Sequence, residues 1–464
     1  MSVTVLNFTV AAVAFADLTV KDLTGSAVSE KGPYVSDVTS AIALFGVGDY
    51  AGALKRLEEA KKATPILAPP EVMLAKLHLA ANQLAPGYAM LEKAMQVTPA
   101  DPEPVIMLIE RAVLENRFTE AALLTAQAEK LLAPFAENPR RKKDLQSRLY
   151  LSEAAIEQAR QNLDASQAKL DSLVKLDPTN AVAQQRLGQV LFAKGDPKSQ
   201  ELAYEAFKQA SNADPAALPA DLMMAMLSKD PAKSAQWVAF AIEHGPNDLR
   251  TQIGAANYFL KEGQLAKAQQ HAAQAAKLDE KSFDANLLAG IAAQAAGSYA
   301  KAVDHLSRAH LTQPANPAAI NQLALALLEM PDKDSQERGL MFAQINARNN
   351  PENLDALTTL GWINFRLNRM VDADRAFNVV LGARSASGRL NINSDSTFIL
   401  AYLSAKQGNR EDAARMLQSI LDRKQIFAYR TKAEELLAYA AKGSPQSPAA
   451  ATTAPATATP AAKP

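Results

Sequence analysis

The sequence predicts an all-α protein, a stack of helix–turn–helix units forming an α-solenoid. Three observations predict it. Gly or Asn is followed five residues later by Ala or Gly at Gly48/Ala53, Asn82/Gly87, Asn116/Ala121, Gly263/Ala268, Gly297/Ala302, Asn368/Ala373 and Gly408/Ala413. Gly and Asn tolerate the left-handed conformation that ends a helix, and a small residue early in the next helix lets two backbones approach closely. Asn82 to Asn116 and Gly263 to Gly297 both span 34 residues, a fixed period that marks a repeated two-helix unit. Proline, which cannot continue a helix, recurs at unit ends: Pro65, Pro99, Pro178, Pro215, Pro246, Pro314 and Pro351.

Taken in order, residues 1–33 form an N-terminal segment whose apolar run Val3–Ala16 ends in Ala14-Phe15-Ala16, a cleavage-like pattern. Two readings stand. One is a degenerate or truncated signal peptide, since the first basic residue is Lys21. The other is a short strand or tail on the first repeat. The repeats occupy 34–427. The small residue opening each second helix falls at Ala53, Gly87, Ala121, Ser166, Ala203, Ser234, Ala268, Ala302, Gly339, Ala373 and Ala413, which gives about eleven units. Gly195/Ala203 has three extra residues in its turn. The wide step before Ser166 covers Pro134–Lys143, where an insertion or an extended helix is expected. Residues 428–442 read as a capping helix, because a solenoid must cover its terminal face. Residues 443–464 are Ala, Pro, Thr and Ser with little else, and read as a disordered tail.

Within the units, Leu187-Gly188 with Ala203, Phe207, Ala210 and Pro215 resembles the tetratricopeptide pattern. So do Leu360-Gly361 with Ala373 and Phe377, Ala289-Gly290 with Ala302, Leu306, Ala309 and Pro314, and Ala53, Leu57, Ala60 and Pro65. The chain is similar to the tetratricopeptide repeat family over nearly nine-tenths of its length, and its Ala-rich composition and tail have a bacterial look. The resemblance implies a right-handed superhelix whose first helices line a concave, partner-binding face. The inward candidates are Leu287, Ile291, Asn321, Leu325, Leu328, Trp362, Phe365, Arg366, Phe398 and Tyr402. Aromatics beside an Arg compose a binding hot spot. The same residues also suit packing between units or beneath the capping helix, and both readings stay open. The Lys and Asn clamp that some members use for C-terminal carboxylates is not matched: Asn257 fits, but Ile253, Leu288, Ala318 and Gln322 do not.

Composition narrows the function. Forty-nine basic and 49 acidic residues give zero formal net charge, which does not favour nucleic acid or an anionic membrane as partner. The absence of cysteine excludes disulfides, thiolate zinc sites and cysteine nucleophiles. Arg140–Lys143 reads as the solvated start of a long helix after Pro139. His271 and His305, in equivalent places, are expected to point outward and not to share a metal. No phosphate-binding glycine loop, nucleophile elbow or zinc-binding histidine motif occurs. No segment is long and apolar enough to span a membrane. The expected protein is non-catalytic and cofactor-free, a scaffold presenting its groove to a peptide or helical partner. The alternative is a periplasmic component of a cell-envelope assembly or polysaccharide-export machine, and a periplasmic or exported location is preferred to a cytoplasmic one.

Overall fold

The computed structural model describes residues 18–25, 32–383 and 390–441. The Ala14-Phe15-Ala16 pattern and the 443–464 tail lie outside them. Every regular element among the described residues is a helix, and no described helix is long and apolar enough to cross a membrane. The chain divides into two compact units, Met1–Ser234 and Ala235–Pro464.

In the first unit a short α1 (Val20–Thr24) precedes the hairpins α2 (Val35–Gly46) with α3 (Tyr50–Ala63), α4 (Pro70–Ala80) with α5 (Leu84–Val97), and α6 (Glu103–Leu114) with α7 (Phe118–Leu132). There follow α8 (Pro139–Ala159) with α9 (Leu163–Leu176), α10 (Ala181–Lys194) with α11 (Pro197–Ala213), and α12 (Ala220–Leu227). Helix α13 (Pro231–His244) carries the division between units. The second unit contains α14 (Leu249–Lys261) with α15 (Leu265–Leu278), α16 (Phe283–Ala295) with α17 (Tyr299–Thr312), and α18 (Pro317–Leu328) with α19 (Lys333–Asn349). It ends with α20 (Leu354–Arg366) and α21 (Met370–Gly382), α22 (Ser394–Lys406) and α23 (Arg410–Leu421), then α24 (Arg430–Ala441).

The turns follow the sequence pattern closely. Gly48, Asn82, Asn116, Gly195, Gly263, Gly297, Asn368 and Gly408 all take left-handed φ angles, between 57° and 89°. In most of these turns the next residue's N–H bonds back across the helix end: Gln83 to the His78 carbonyl at 2.8 Å, Gln264 to Phe259 at 2.8 Å and Arg369 to Asn364 at 2.8 Å. Those bonds satisfy carbonyls that the helix leaves open. Gln161, with φ 64°, closes the α8–α9 turn in the same way, although neither its size nor its chemistry announces it.

After each turn the two helices meet where side chains are smallest. Ala53, Ala203, Ala268, Ala302 and Ala413 are fully buried. At the sites with Ser, the hydroxyl is absorbed locally: Ser166 donates to the Ala154 carbonyl and Ser234 to that of Ala225, both at 2.9 Å. On the first helices the glycines make the matching recess. A methyl on Gly188 would lie 2.5 Å from the Phe207 ring, one on Gly361 2.7 Å from Phe377, and one on Gly290 2.4 Å from Leu306. These are the residues that the repeat pattern pairs.

The wide step before Ser166 is filled by a loop and by the 21-residue α8. Its basic start is not wholly solvated, as the sequence suggested. Arg141 is buried, with one guanidinium nitrogen 2.7 Å from Asp101 Oδ1 and 2.7 Å from Glu103 Oε2. Glu103 also meets Lys76 at 2.8 Å and Arg148 at 3.1 Å. Helices α4, α6 and α8 are thereby tied together by charge. Burial alone would raise the Glu103 carboxyl, but Lys76, Arg141 and Arg148 outweigh it and hold it far below the usual carboxylate range.

Replacing Glu103 with Gln leaves three cations around a neutral group. Breaking such a buried pair costs about 3–5 kcal/mol. Hydrogen exchange should show faster opening of α4, α6 and α8 in this variant, with α18–α22 unchanged as internal control. Because the folded pKa is depressed, the wild-type advantage is present above the ordinary carboxylate value and shrinks as pH falls below it.

Candidate functional site

The second unit presents a row of first helices, α14, α16, α18, α20 and α22, each packed on the next member of the row. The sequence-derived candidates fall on four of these helices. Leu287 and Ile291 on α16 are half-buried, and Leu287 packs with Ala302, Leu306 and Leu323. Asn321, Leu325 and Leu328 on α18 are buried. On α20, Trp362 is buried, Phe365 half-buried and Arg366 exposed; on α22, Phe398 is buried and Tyr402 half-buried.

The structure brings Leu325, Leu328, Trp362, Phe365, Phe398 and Tyr402 into one cluster, and supplies what covers it. The loop between α23 and α24 carries Ile426, Phe427 and Tyr429, all buried. Tyr429 enters the aromatic set, its ring stacked on Phe398 with centroids 5.0 Å apart and edge-on to Trp362 at 6.4 Å. Trp362 Nε1 donates to the Tyr429 hydroxyl at 3.1 Å, and that hydroxyl donates to Glu329 Oε1 at 3.2 Å. Arg366 lies over the Trp362 ring and pairs with Glu329 at 3.1 Å. From α24, Lys432 reaches the other Glu329 oxygen at 2.8 Å. The patch is therefore closed by the chain's own segment rather than open to solvent.

Main-chain bonds fix that segment. The Tyr429 N–H donates to Asp395 Oδ1 at 3.1 Å, while Gln322 Nε2 donates to Asp395 Oδ2 at 3.1 Å. The Ile426 N–H donates to the Leu260 carbonyl at 2.7 Å, at the far end of the row. There Gly263 matters, because a side chain on it would lie 2.6 Å from the Lys424 carbonyl oxygen. Arg430 holds the loop from behind, donating to the carbonyls of Arg423 and Gln425 at 2.9 Å each.

Second helices meet first helices through glycine recesses, left-handed residues end the first helices, and the first helices form the row that receives this segment. This is the tetratricopeptide-repeat fold. Among solved structures the chain is similar to yeast Tom70, with 13% identity over 88% of this chain and 96% of that one and a TM-score of 0.32. It is similar to the thermophilic TPR protein TTC0263 of Thermus thermophilus, with 15% identity over 42% and 97% and a TM-score of 0.33. It is also similar to the human IFIT1 dimer with PPP-AAAA, with 15% identity over 86% and 79% and a TM-score of 0.39. No protein-family model matches the chain, and a search of curated proteins found no match.

The electrostatics of this cluster are uneven. Burial alone would raise the Glu329 carboxyl, but hydrogen bonds and charge from Lys432 and Arg366 hold it below its ordinary value. Among the described residues no cation pairs with Asp395. Burial pushes it up to about 6, against the hydrogen bonds from Gln322 and the main chain. Burial and the nearby Glu329 carboxylate raise the Tyr429 phenol well above its usual range, so it stays a donor.

The histidines do not point outward. His271 is buried with Nδ1 2.7 Å from Gln252 Oε1, and His305 Nδ1 lies 3.0 Å from Asn286 Oδ1. Each ties a second helix to its own first helix, and burial lowers the pKa of both. Among the described residues no group of three or more His, Asp or Glu is placed to hold a metal.

Sequence reasoning missed Glu329, Asp395, Gln322 and Tyr429 as members of the groove. One signal was available: Ile426 and Phe427 are large apolar residues between the last repeat and the expected capping helix at 428–442, with Tyr429 at that helix's start, and such residues need a cover.

Asp395→Asn keeps an oxygen for the Tyr429 N–H, and Gln322 can turn its amide to match. The raised pKa means that the wild-type contribution is fully present below the unfolded value near 4 and lost as pH rises through about 6. The variant should be more stable at pH 8 by about 3 kcal/mol, at ~1.4 kcal/mol per unit. Thermal melts at pH 4, 6 and 8 should show this difference fading towards pH 4.

Proposed function

We propose that this chain is a non-catalytic protein–protein interaction scaffold whose first-helix row takes up a peptide or helical segment of a partner. One observation carries the reading. The groove of the second unit holds a peptide-like stretch of the same chain through an aromatic anchor, main-chain hydrogen bonds and a charge pair. These are the elements by which grooves recognise segments of other proteins. The acidic groups in contact with that stretch, Glu329 and Asp395, together with zero net charge, favour a polypeptide over a phosphate backbone.

A photo-crosslinking residue at Arg366, on the exposed rim of the groove, tests this in the native host. The expected product is a protein adduct, identified by mass spectrometry, that is absent when the probe sits at exposed Leu311. Adducts with nucleic acid alone, or equal yields at both sites, would overturn the reading.

The alternative, a periplasmic component of an envelope or export assembly, is favoured by Ala14-Phe15-Ala16. N-terminal sequencing of the native protein is expected to begin at Asp17 if the chain is exported. A mature chain that keeps Met1 or Ser2 removes that alternative and leaves the scaffold reading in place.

A further inference from the structure

The contacts made by Tyr429 are more selective than a cap requires. Helix α24 covers the last hairpin by packing on α23 and α22, and apolar contact suffices for that. Tyr429 instead extends the contact to α18 and α20. There its hydroxyl sits between a donor, Trp362 Nε1, and an acceptor, Glu329. A buried donor–acceptor pair around a hydroxyl discriminates against residues that lack one, because both groups would lose their partner. Three residues on, Lys432 satisfies the second Glu329 oxygen.

We propose that residues 423–441 are a built-in competitor for the groove. The partner displaces them with a segment of the same chemistry: a Tyr-like residue bearing a hydroxyl, taken up between Trp362 and Phe398, with a cation three residues later for Glu329. This rests on the scaffold reading and assigns that groove its class of ligand. Binding is then weakened by the fraction of molecules in which the resident segment is docked, and any change that loosens the segment tightens binding in trans.

A fluorescein-labelled peptide of residues 423–441, titrated by anisotropy into the full chain, is the probe. Lys432→Glu sets a like charge against Glu329 and removes the cation from the Tyr299 and Tyr429 rings, while the stack of Tyr429 on Phe398 is kept; Tyr429→Ala removes the anchor. Both variants are expected to bind the peptide at least about tenfold more tightly than the wild type. Hydrogen exchange in α24 should rise in both. A peptide carrying Phe at position 429 should bind Lys432→Glu about tenfold more weakly than the native peptide, through the lost hydroxyl.

Equal affinity for wild type and both variants would overturn the proposal. So would no binding to a Lys432→Glu protein that melts like the wild type, a check that does not depend on how Tyr429→Ala folds. A wild-type dimer that exchanges this segment would overturn it too, by making a second copy the occupant. If the Arg366 probe captures a protein partner while the peptide binds no variant, the scaffold reading stands and the competition falls.

Discussion

The hairpins at Gly188, Gly290 and Gly361 depend on the distance at which their two helices can approach, and that distance is set by side chains that are missing. At Gly361 the ring of Phe377 occupies the space where a methyl would be; at Gly290 the Leu306 side chain does the same. Dispersion contacts decay steeply with separation, so a gap of about half an ångström on one side forfeits much of the attraction. The residues opposite, Ala302 and Ala373, are accordingly small and buried. With aromatics at only 6% of the sequence, stability is distributed over many such close contacts rather than held in one thick core.

Much of this was legible in advance because its cause is local. A left-handed turn needs Gly or Asn, and eight of the residues singled out on that ground adopt it. Gln161 adopts it without belonging to either type, since the rest of the turn is satisfied by the Asn162 N–H bonding to Glu157 at 2.9 Å. Long-range chemistry was hidden. Nothing near Arg141 announces that Asp101 and Glu103, in another hairpin, draw it inside, and nothing near His271 announces Gln252. The same limit applied to the groove. Helical periodicity placed Trp362, Phe398 and Tyr402 side by side but could not show that Tyr429 lies among them, because Tyr429 was read into the capping helix, which begins only at Arg430.

The two units treat charge differently along their first helices. In the first, Glu103 is surrounded by Lys76, Arg141 and Arg148, and the network is a structural tie between helices. In the second, Glu329 is met by Lys432 from the covering segment as well as by Arg366, while among the described residues Asp395 is met by hydrogen bonds and no cation. A buried carboxylate without a cation is an expensive group to retain, and such groups concentrate where a protein holds something.

The bond from Ile426 to Leu260 joins residues with four hairpins between them, in a fold whose other contacts are mostly between neighbours. Nearest-neighbour hairpins form quickly and in any order, whereas a contact of such sequence separation must wait until everything between is in place. During synthesis the groove is complete before residues 423–441 follow it from the ribosome, so a newly made chain passes through a stage with its aromatic floor uncovered. Arrival of the segment would then act as a final proof that all the intervening hairpins have the right pitch. An error of one turn in any of them would leave Ile426 short of Leu260.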